Sequence, residues 1–502
     1  MAEQRKEVEP DYYRYRFFYG RYEVEDFLYG NDGPWPQPAP DHPTGQMAQV
    51  LHVPKAEMAL WKRSVARLYK WLLLTRWPAG LWYAWRHPHL REIDDERFSH
   101  YLAEALYSKF LCPLDEADET VFASQLAERA SDTVFYKSDF SPMAEIAGDT
   151  LPGTYAAATV ALVRKDGDNP GRVVAIHFPR TGLLVTPEDT DRRAWNLARW
   201  FALQGAAHRI NLIDHAVVHF PSDPVNAVTK SILPRHHLLL KLLLPHFRLS
   251  LPVNYSVLEG GASLINRTTW VIYSPFTAPG RVIRRLLRWG YVGEAGNSAY
   301  PPYRFRPVPA FPPSLYGEFL AAYHAVIRRY VGEMLQPLRQ TRPGADDQGL
   351  VSLWADHVAE WVPGFPDGQS IWEGETLEDT VATVIWNASL AHAADHQVLH
   401  DMPTDEIPFR LRVPPPDAGA EGRGPLNTRW DIFQAWLTDE LFYKPHNESL
   451  LRDVDYGFEQ EPLKQLNAEF REALRETENR LREQGRVPIF APLENVAASI
   501  QY

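Results

Sequence analysis

The sequence predicts a mainly α-helical protein with one small β-hairpin region, and three observations carry that expectation. From Pro187 onward the apolar residues recur mostly at helical spacing, interrupted by a proline-rich loop at 300–313 and a Gly/Pro stretch at 414–425. Two segments, 155–163 and 172–178, have strand character and are joined by Lys-Asp-Gly-Asp-Asn-Pro-Gly, a run with strong turn chemistry. The chain of 502 residues is 45% hydrophobic, enough for a substantial core, and no compositional shift marks a linker between domains.

In chain order, residues 1–50 are rich in Tyr, Pro and Gly without periodicity, which predicts an irregular N-terminal wrap; 51–502 are expected to form a single domain. Between Pro54 and Leu90, Trp61, Val65, Leu68, Trp71 and Leu72 follow helical spacing with Lys and Arg interspersed. The general expectation for such a stripe is packing on the core of its own domain. An amphipathic helix meeting a lipid surface, and with it peripheral membrane contact, is the alternative. A second helix is predicted over 95–111. The charged segment 463–483 predicts a solvated helix ended by Gly485, and the apolar tail 487–502 predicts burial.

Composition excludes several classes. A net charge of −12 argues against nucleic acid as the main partner, because a phosphate backbone needs a basic excess. The lone Cys112 can form neither an internal disulfide nor a thiolate metal site, so any metal must use nitrogen and oxygen ligands; a reducing, cytoplasmic setting is expected. The charged N-terminus lacks a signal-peptide core, and no run of about 18 uncharged apolar residues follows, so neither secretion nor a membrane span is expected. A P-loop and a Gly-x-Ser-x-Gly elbow are both absent from the sequence.

Chemistry concentrates in histidines. In His215-Ala-Val-Val-His219 the two imidazoles are four residues apart and share one helix face, and His392-Ala-Ala-Asp-His396 repeats the spacing on a second apolar helix. Two facing helices so equipped could enclose one metal ion. His400 continues the second stripe and is read as a hydrogen-bond partner behind the metal, His236, His237 and His246 as groups that cap or brace helices, and Asp395 as a surface or helix-pairing acid.

Several blocks resemble lipoxygenases, mainly helical non-haem iron dioxygenases. Trp195-Asn-Leu-Ala198-Arg199 is similar to the Trp-x-x-Ala-Lys run that precedes the family's first metal histidines. Lys241-Leu-Leu-Leu-Pro-His246 with Val253-Asn254 resembles the Lys-Leu-x-x-Pro-His…Ile-Asn run behind them. Ile385-Trp-x-Ala-Ser-x-x-His392-Ala-Ala is similar to the most recognisable block, and the tail Pro488-Ile-Phe-Ala-Pro…Ser499-Ile-Gln-Tyr502 to the closing segment, whose last residue binds iron through its carboxylate. The resemblance covers roughly 180–502 and implies a large helical lipoxygenase-like catalytic domain without the N-terminal β-sandwich many relatives carry. It implies a metal site of His215, His219, His392, His396 and the terminal carboxylate of Tyr502.

What the resemblance implies chemically is a dioxygenase for a polyunsaturated fatty acid: hydrogen is taken from a carbon between two double bonds and O2 adds to give a hydroperoxide. Four imidazoles and a carboxylate favour iron, with manganese the alternative, over closed tetrahedral zinc. Three departures qualify this. The family separates its first two metal histidines by four residues, accommodated by a wider π-type turn, whereas His215 and His219 have three between them; an ordinary α-helical pair can present both rings, or Asp214 or Asp223 has joined the ligand set. The chain ends Ser499-Ile-Gln-Tyr502 where the family ends in isoleucine; aligned at the chain end the Tyr502 carboxylate replaces that of isoleucine, aligned on Ile500 it falls outside the site. A family glutamine pair between metal and substrate pocket is replaced by Asn211 and Leu399, so the substrate could instead be another apolar small molecule, such as a specialised metabolite or a fatty hydroperoxide.

Overall fold

Two helices buried along almost their whole length carry the architecture. Arg192–Arg209 begins at Asp191, whose side chain accepts from the Arg193 and Ala194 amides, and is buried from Trp195 through Arg209 save for Asn196 and Leu197. Its buried polar side chains Arg199, Gln204, His208 and Arg209 each find a main-chain carbonyl there, which lets the helix lie in the core. The second, Thr376–Trp386, runs through Asn387–Ala391 into His392–Asp401. Leu315–Gln340 packs on Thr376–Trp386 and also on Glu461–Gln484. That last helix turns Phe470, Leu474 and Leu481 inward and stops at Gly485, whose φ of +66° is the left-handed cap expected there. Phe470 stacks on Tyr330 with ring centroids 4.1 Å apart.

The computed structural model describes residues 53, 55–127, 130–189, 191–258, 274–340, 346–419, 424–446 and 449–501, and the backbone of three strands in the first fifty residues. One contiguous set of buried apolar side chains spans Val53 to Ala498. No helix of the described residues is long and apolar enough to cross a membrane.

The structure corrects the sequence expectation in three places. Within the first fifty residues, where an irregular wrap was expected, β1 (Tyr15–Tyr19), β2 (Tyr22–Phe27) and β3 (Gln49–Val50) form an antiparallel sheet in the order β2-β1-β3. Tyr-Arg-Phe-Phe-Tyr and Tyr-Glu-Val-Glu-Asp-Phe are rich in strand-favouring aromatics, a local preference that the surrounding Pro and Gly conceal. The expected hairpin belongs to a larger, five-stranded sheet of β4 (Leu111–Cys112), β5 (Thr133–Asp139), β6 (Val160–Asp166), β7 (Arg172–Phe178) and β8 (Leu183–Val185), ordered as in the chain. The hairpin's first strand, β6, starts at Val160 rather than at 155, and Tyr155 instead bridges to Leu411. β5 escapes the sequence pattern because Lys137 and Asp139 are buried in it; Lys137 is neutralised by Asp115 and Asp118 at 2.6 and 2.5 Å.

The third correction concerns 54–90. The chain forms helices Lys55–Arg63, Val65–Thr75 and Trp77–Arg86, and the expected stripe turns inward at Val65, which is buried, and at Leu72, which packs on the core, but Trp71 and, beyond the stripe, Leu74, Trp77, Leu81, Trp82 and Trp85 stay exposed. The tail behaves as expected over its described part: Ala498 pairs its amide with the Ser449 carbonyl, Ser499 Oγ donates to the Arg248 carbonyl, and Ala491, Val496 and Ile500 are buried.

Candidate metal centre

The two buried helices meet at four imidazoles. Arg192–Arg209 passes into a π-helical turn, Ile210–Asp214, and then into the α-helical turn His215–His219. The partner helix does the same, with π turn Asn387–Ala391 directly before His392. The π-type turn is therefore present, but it lies ahead of the first histidine pair instead of within it. An extra residue in a helix rotates everything after it by about 100°, so each insertion re-aims the histidines that follow. Arg209 and Asp214, five residues apart, are bridged at 3.1 Å across the first of these turns. In a π turn the amides reach back five residues and leave a carbonyl short of a donor. Asn211 Nδ2 donates to the Ala207 carbonyl at 2.8 Å, and Ser389 Oγ to that of Ile385 at 2.6 Å.

The four ring nitrogens converge. His215 Nε2 lies 2.7 Å from His219 Nε2 and 3.1 Å from His396 Nε2, and His219 Nε2 lies 3.0 Å from His392 Nε2. One donor atom from each of the four falls within 4.8 Å of every other. His219, His392 and His396 are buried and His215 is half-buried.

The hydrogen bonds fix which nitrogen carries the proton. His396 Nδ1 faces the Phe442 carbonyl, an obligate acceptor, so it donates. His219 Nδ1 meets Asn254 Oδ1 at 2.9 Å; the Asn254 amide nitrogen is turned to the His219 carbonyl at 3.0 Å and to Asp223 Oδ1 at 2.6 Å, which leaves its oxygen for the ring. Both Nε2 atoms are then bare lone pairs aimed inward. Burial lowers the pKa of His219 to about 4 and of His396 to about 3; burial, reinforced by the neighbouring imidazoles, takes His215 and His392 well below 6.5. Neutral imidazoles whose lone pairs crowd one point repel one another, and a cation between them removes the repulsion. Separations near 3 Å are what two nitrogens about 2.1 Å from one ion show at about 90°. The donor set fits a transition-metal ion.

Neither Asp214 nor Asp223 joins the cluster: the first pairs with Arg209, the second receives Asn254. Tyr502 lies outside the described residues. Asp395 is buried rather than at the surface, held by Lys109 Nζ at 2.6 Å and Tyr316 Oη at 2.7 Å, the helix-pairing role. His400 Nδ1 meets Asp439 Oδ1 at 2.8 Å, and this carboxylate raises its pKa. His237 caps Leu238–Leu243 by accepting from the Leu239 amide, and His246 links the Ala498 carbonyl to Tyr456 Oη. The Trp195…Arg199 block is an anchor: Trp195 Nε1 donates to Asp95 Oδ1 at 2.7 Å and Arg199 Nη1 to the Ile93 carbonyl at 2.5 Å.

No protein-family model and no curated protein matches the sequence. Solved structures do match the fold. A coral 8R-lipoxygenase is similar over 100% of this chain and 81% of its own at 16% identity, with a TM-score of 0.71. The manganese lipoxygenase of Gaeumannomyces graminis is similar over 100% of this chain and 97% of its own at 15% identity, with a TM-score of 0.69. The chain has the lipoxygenase fold. A Fusarium graminearum lipoxygenase, 16% identical over 82% of this chain and 80% of its own, agrees at a TM-score of 0.61.

Within this lipoxygenase fold, sequence reasoning missed a third π turn, Asp439–Tyr443, which supplies the Phe442 carbonyl to His396, Asp439 to His400, and Tyr443 Oη to Asn211 Oδ1 at 2.6 Å. A main-chain carbonyl has no sequence signature. Asn254 had one, in the Val253-Asn254 match, but its contact with His219 did not follow from the match. A cavity of about 800 Å³ opens beside the tail, among Lys230, Phe247, Arg248 and Ala498, and none of the four histidines lines it.

Proposed function

We propose that the protein is a non-haem metal dioxygenase of lipoxygenase type that converts a polyunsaturated fatty acid to its hydroperoxide. His215, His219, His392 and His396 are its metal ligands, and the Tyr502 carboxylate completes the set. The observation that carries this reading is the convergence of four Nε2 atoms on one point, two of them held as lone pairs by Asn254 and the Phe442 carbonyl. Iron is the proposed ion and manganese the alternative; a similar fold belongs to a manganese lipoxygenase. Another similar structure, at 15% identity and a TM-score of 0.68, is a lipoxygenase in complex with arachidonate, which supports a fatty acid as substrate class.

A bound metal of this kind supplies the one-electron step by which a carbon between two double bonds loses hydrogen and becomes open to O2. The chain supplies orientation and dryness. Asn254 sets the His219 ring, the Phe442 carbonyl sets that of His396, and the burial of the helices around them excludes water. Metal content of the purified protein, with oxygen uptake and conjugated-diene absorbance on linoleate and arachidonate, tests the reading. About one iron or manganese per chain with substrate-dependent uptake is expected. Failure to retain either metal after loading would sink it.

A second reading keeps the metal and changes the substrate. Asn211 is committed to the Ala207 carbonyl and Tyr443 Oη, and Leu399 is buried and apolar, so these positions offer no glutamine-like link from metal to pocket. Full metal occupancy without oxygen uptake on either fatty acid would favour an oxidase of another apolar metabolite.

A further inference from the structure

We propose that helices Val65–Thr75 and Trp77–Arg86 form a docking face for an anionic lipid bilayer. The orientation of the second helix is fixed by its small residues. A Cβ on Gly80 would come within 2.6 Å of Trp436 Cε3, Ala84 is buried, and Tyr83 stacks on Trp436 with centroids 6.4 Å apart. With Gly80 and Ala84 inward, Trp82 and Trp85 point out, 58% and 65% exposed. A helix that serves only its own core buries its large apolar residues and shows its small ones; this one does the reverse. The preceding helix agrees: Val65 is buried and Tyr69 rests edge-on against Phe442 at 5.5 Å, while Trp71 and Leu74 stand 63% and 72% exposed.

Charge selects the occupant. Residues 58–91 contain Lys62, Arg63, Arg67, Lys70, Arg76, Arg86 and Arg91 and no Asp or Glu, in a chain whose net charge is −12. Arg76 and Arg91 are ion-paired with Glu440 and Asp405, but Arg67, Lys70 and Arg86 on the two helices, and Lys62 and Arg63 at the end of the helix before them, are exposed, with Arg86 over the Trp82 ring at 5.6 Å. Tryptophan settles at the headgroup level of a bilayer, and lysine and arginine are drawn to anionic headgroups. Neither helix is long or apolar enough to span, so the face lies on the surface. Through Tyr69 it stands against Phe442, whose carbonyl holds His396, so docking would bring the histidine cluster near the lipid surface. The inference is independent of the chemistry proposed above.

The test is co-sedimentation of the full chain with vesicles of phosphatidylcholine alone and of phosphatidylcholine containing about a third phosphatidylserine. Two variants are compared, Trp71→Gln/Trp82→Gln/Trp85→Gln and Lys62→Glu/Arg63→Glu/Arg67→Glu/Lys70→Glu. Because the substituted side chains are exposed, both should keep the parent's melting temperature. The parent should bind the anionic vesicles at least about tenfold more tightly than the neutral ones, less so in high salt. Each variant should lose about tenfold or more of that affinity. Equal binding to both vesicle types, no binding, or unchanged binding by both variants would overturn the proposal. So would a lipid-free dimer that the tryptophan variant disperses, since a second copy would then be the occupant.

Discussion

Asn254 illustrates how one amide decides the state of a ring two helices away. Its oxygen takes the His219 Nδ1 proton only because its nitrogen already donates to the His219 carbonyl and Asp223. Leucine at this position keeps the bulk and removes both functions. Asn254→Leu is expected to weaken metal binding about 10- to 100-fold, measured by metal titration of the stripped protein; an unchanged affinity would remove Asn254 from the site. Burial of other histidines predicts an acid-sensitive fold. His208 and His246 are buried, and that burial lowers each pKa from 6.5 to about 4. Between these values the unfolded chain takes up protons that the folded chain refuses, so stability is full above about pH 6.5 and falls as the pH drops toward 4. The contribution is on the order of 3 kcal/mol per histidine if the whole shift is expressed. Denaturant midpoints should fall over that window, and less steeply in His246→Gln; equal slopes would show that His246 does not contribute.

At the scale of elements, the π turns are the devices that aim the histidines. Ile210–Asp214 and Asn387–Ala391 each sit immediately before a metal-candidate histidine, and Arg209–Asp214 spans the first at the five-residue reach such a turn makes. Deleting Leu212 should let the segment relax to regular α-helix and rotate His215 and His219 by about 100° away from His392 and His396. The expected result is loss of bound metal with little change in far-ultraviolet circular dichroism; a deletion variant that still holds a full complement of metal would show that the turn does not set the ring directions. The sequence could suggest a helical pair at His215 and His219, since four-residue spacing on an apolar run is a local property. It could not place the π turn, because the turn depends on which carbonyls Asn211 and Ser389 reach. Likewise the helical stripe Trp61, Val65, Leu68, Trp71 and Leu72 was legible, but a period says which residues share a face and not what covers it.

For the whole molecule, the four-histidine cluster and the groups that hold its rings tie together segments from positions 215 to 442, so an ion bound there should add stability beyond its own neighbourhood. Stripping metal with a chelator should lower the melting temperature, and iron or manganese at a hundredfold excess over its dissociation constant should restore about 2.7 kcal/mol. A melting temperature indifferent to metal would count against a site formed only in the folded chain. The sequence by itself determined the mainly helical class, the two histidine pairs, the Gly485 helix stop and the burial of the tail, because spacing, capping chemistry and apolar runs act over a few residues. Only the tertiary structure decided that the two pairs face each other, that Lys137 and Asp139 sit inside a strand, that Phe442 offers its carbonyl to His396, and that Gly80 and Ala84 turn inward so that tryptophans turn out. Those outcomes depend on contacts between residues far apart in the chain, where packing and the pairing of buried polar groups override local preference.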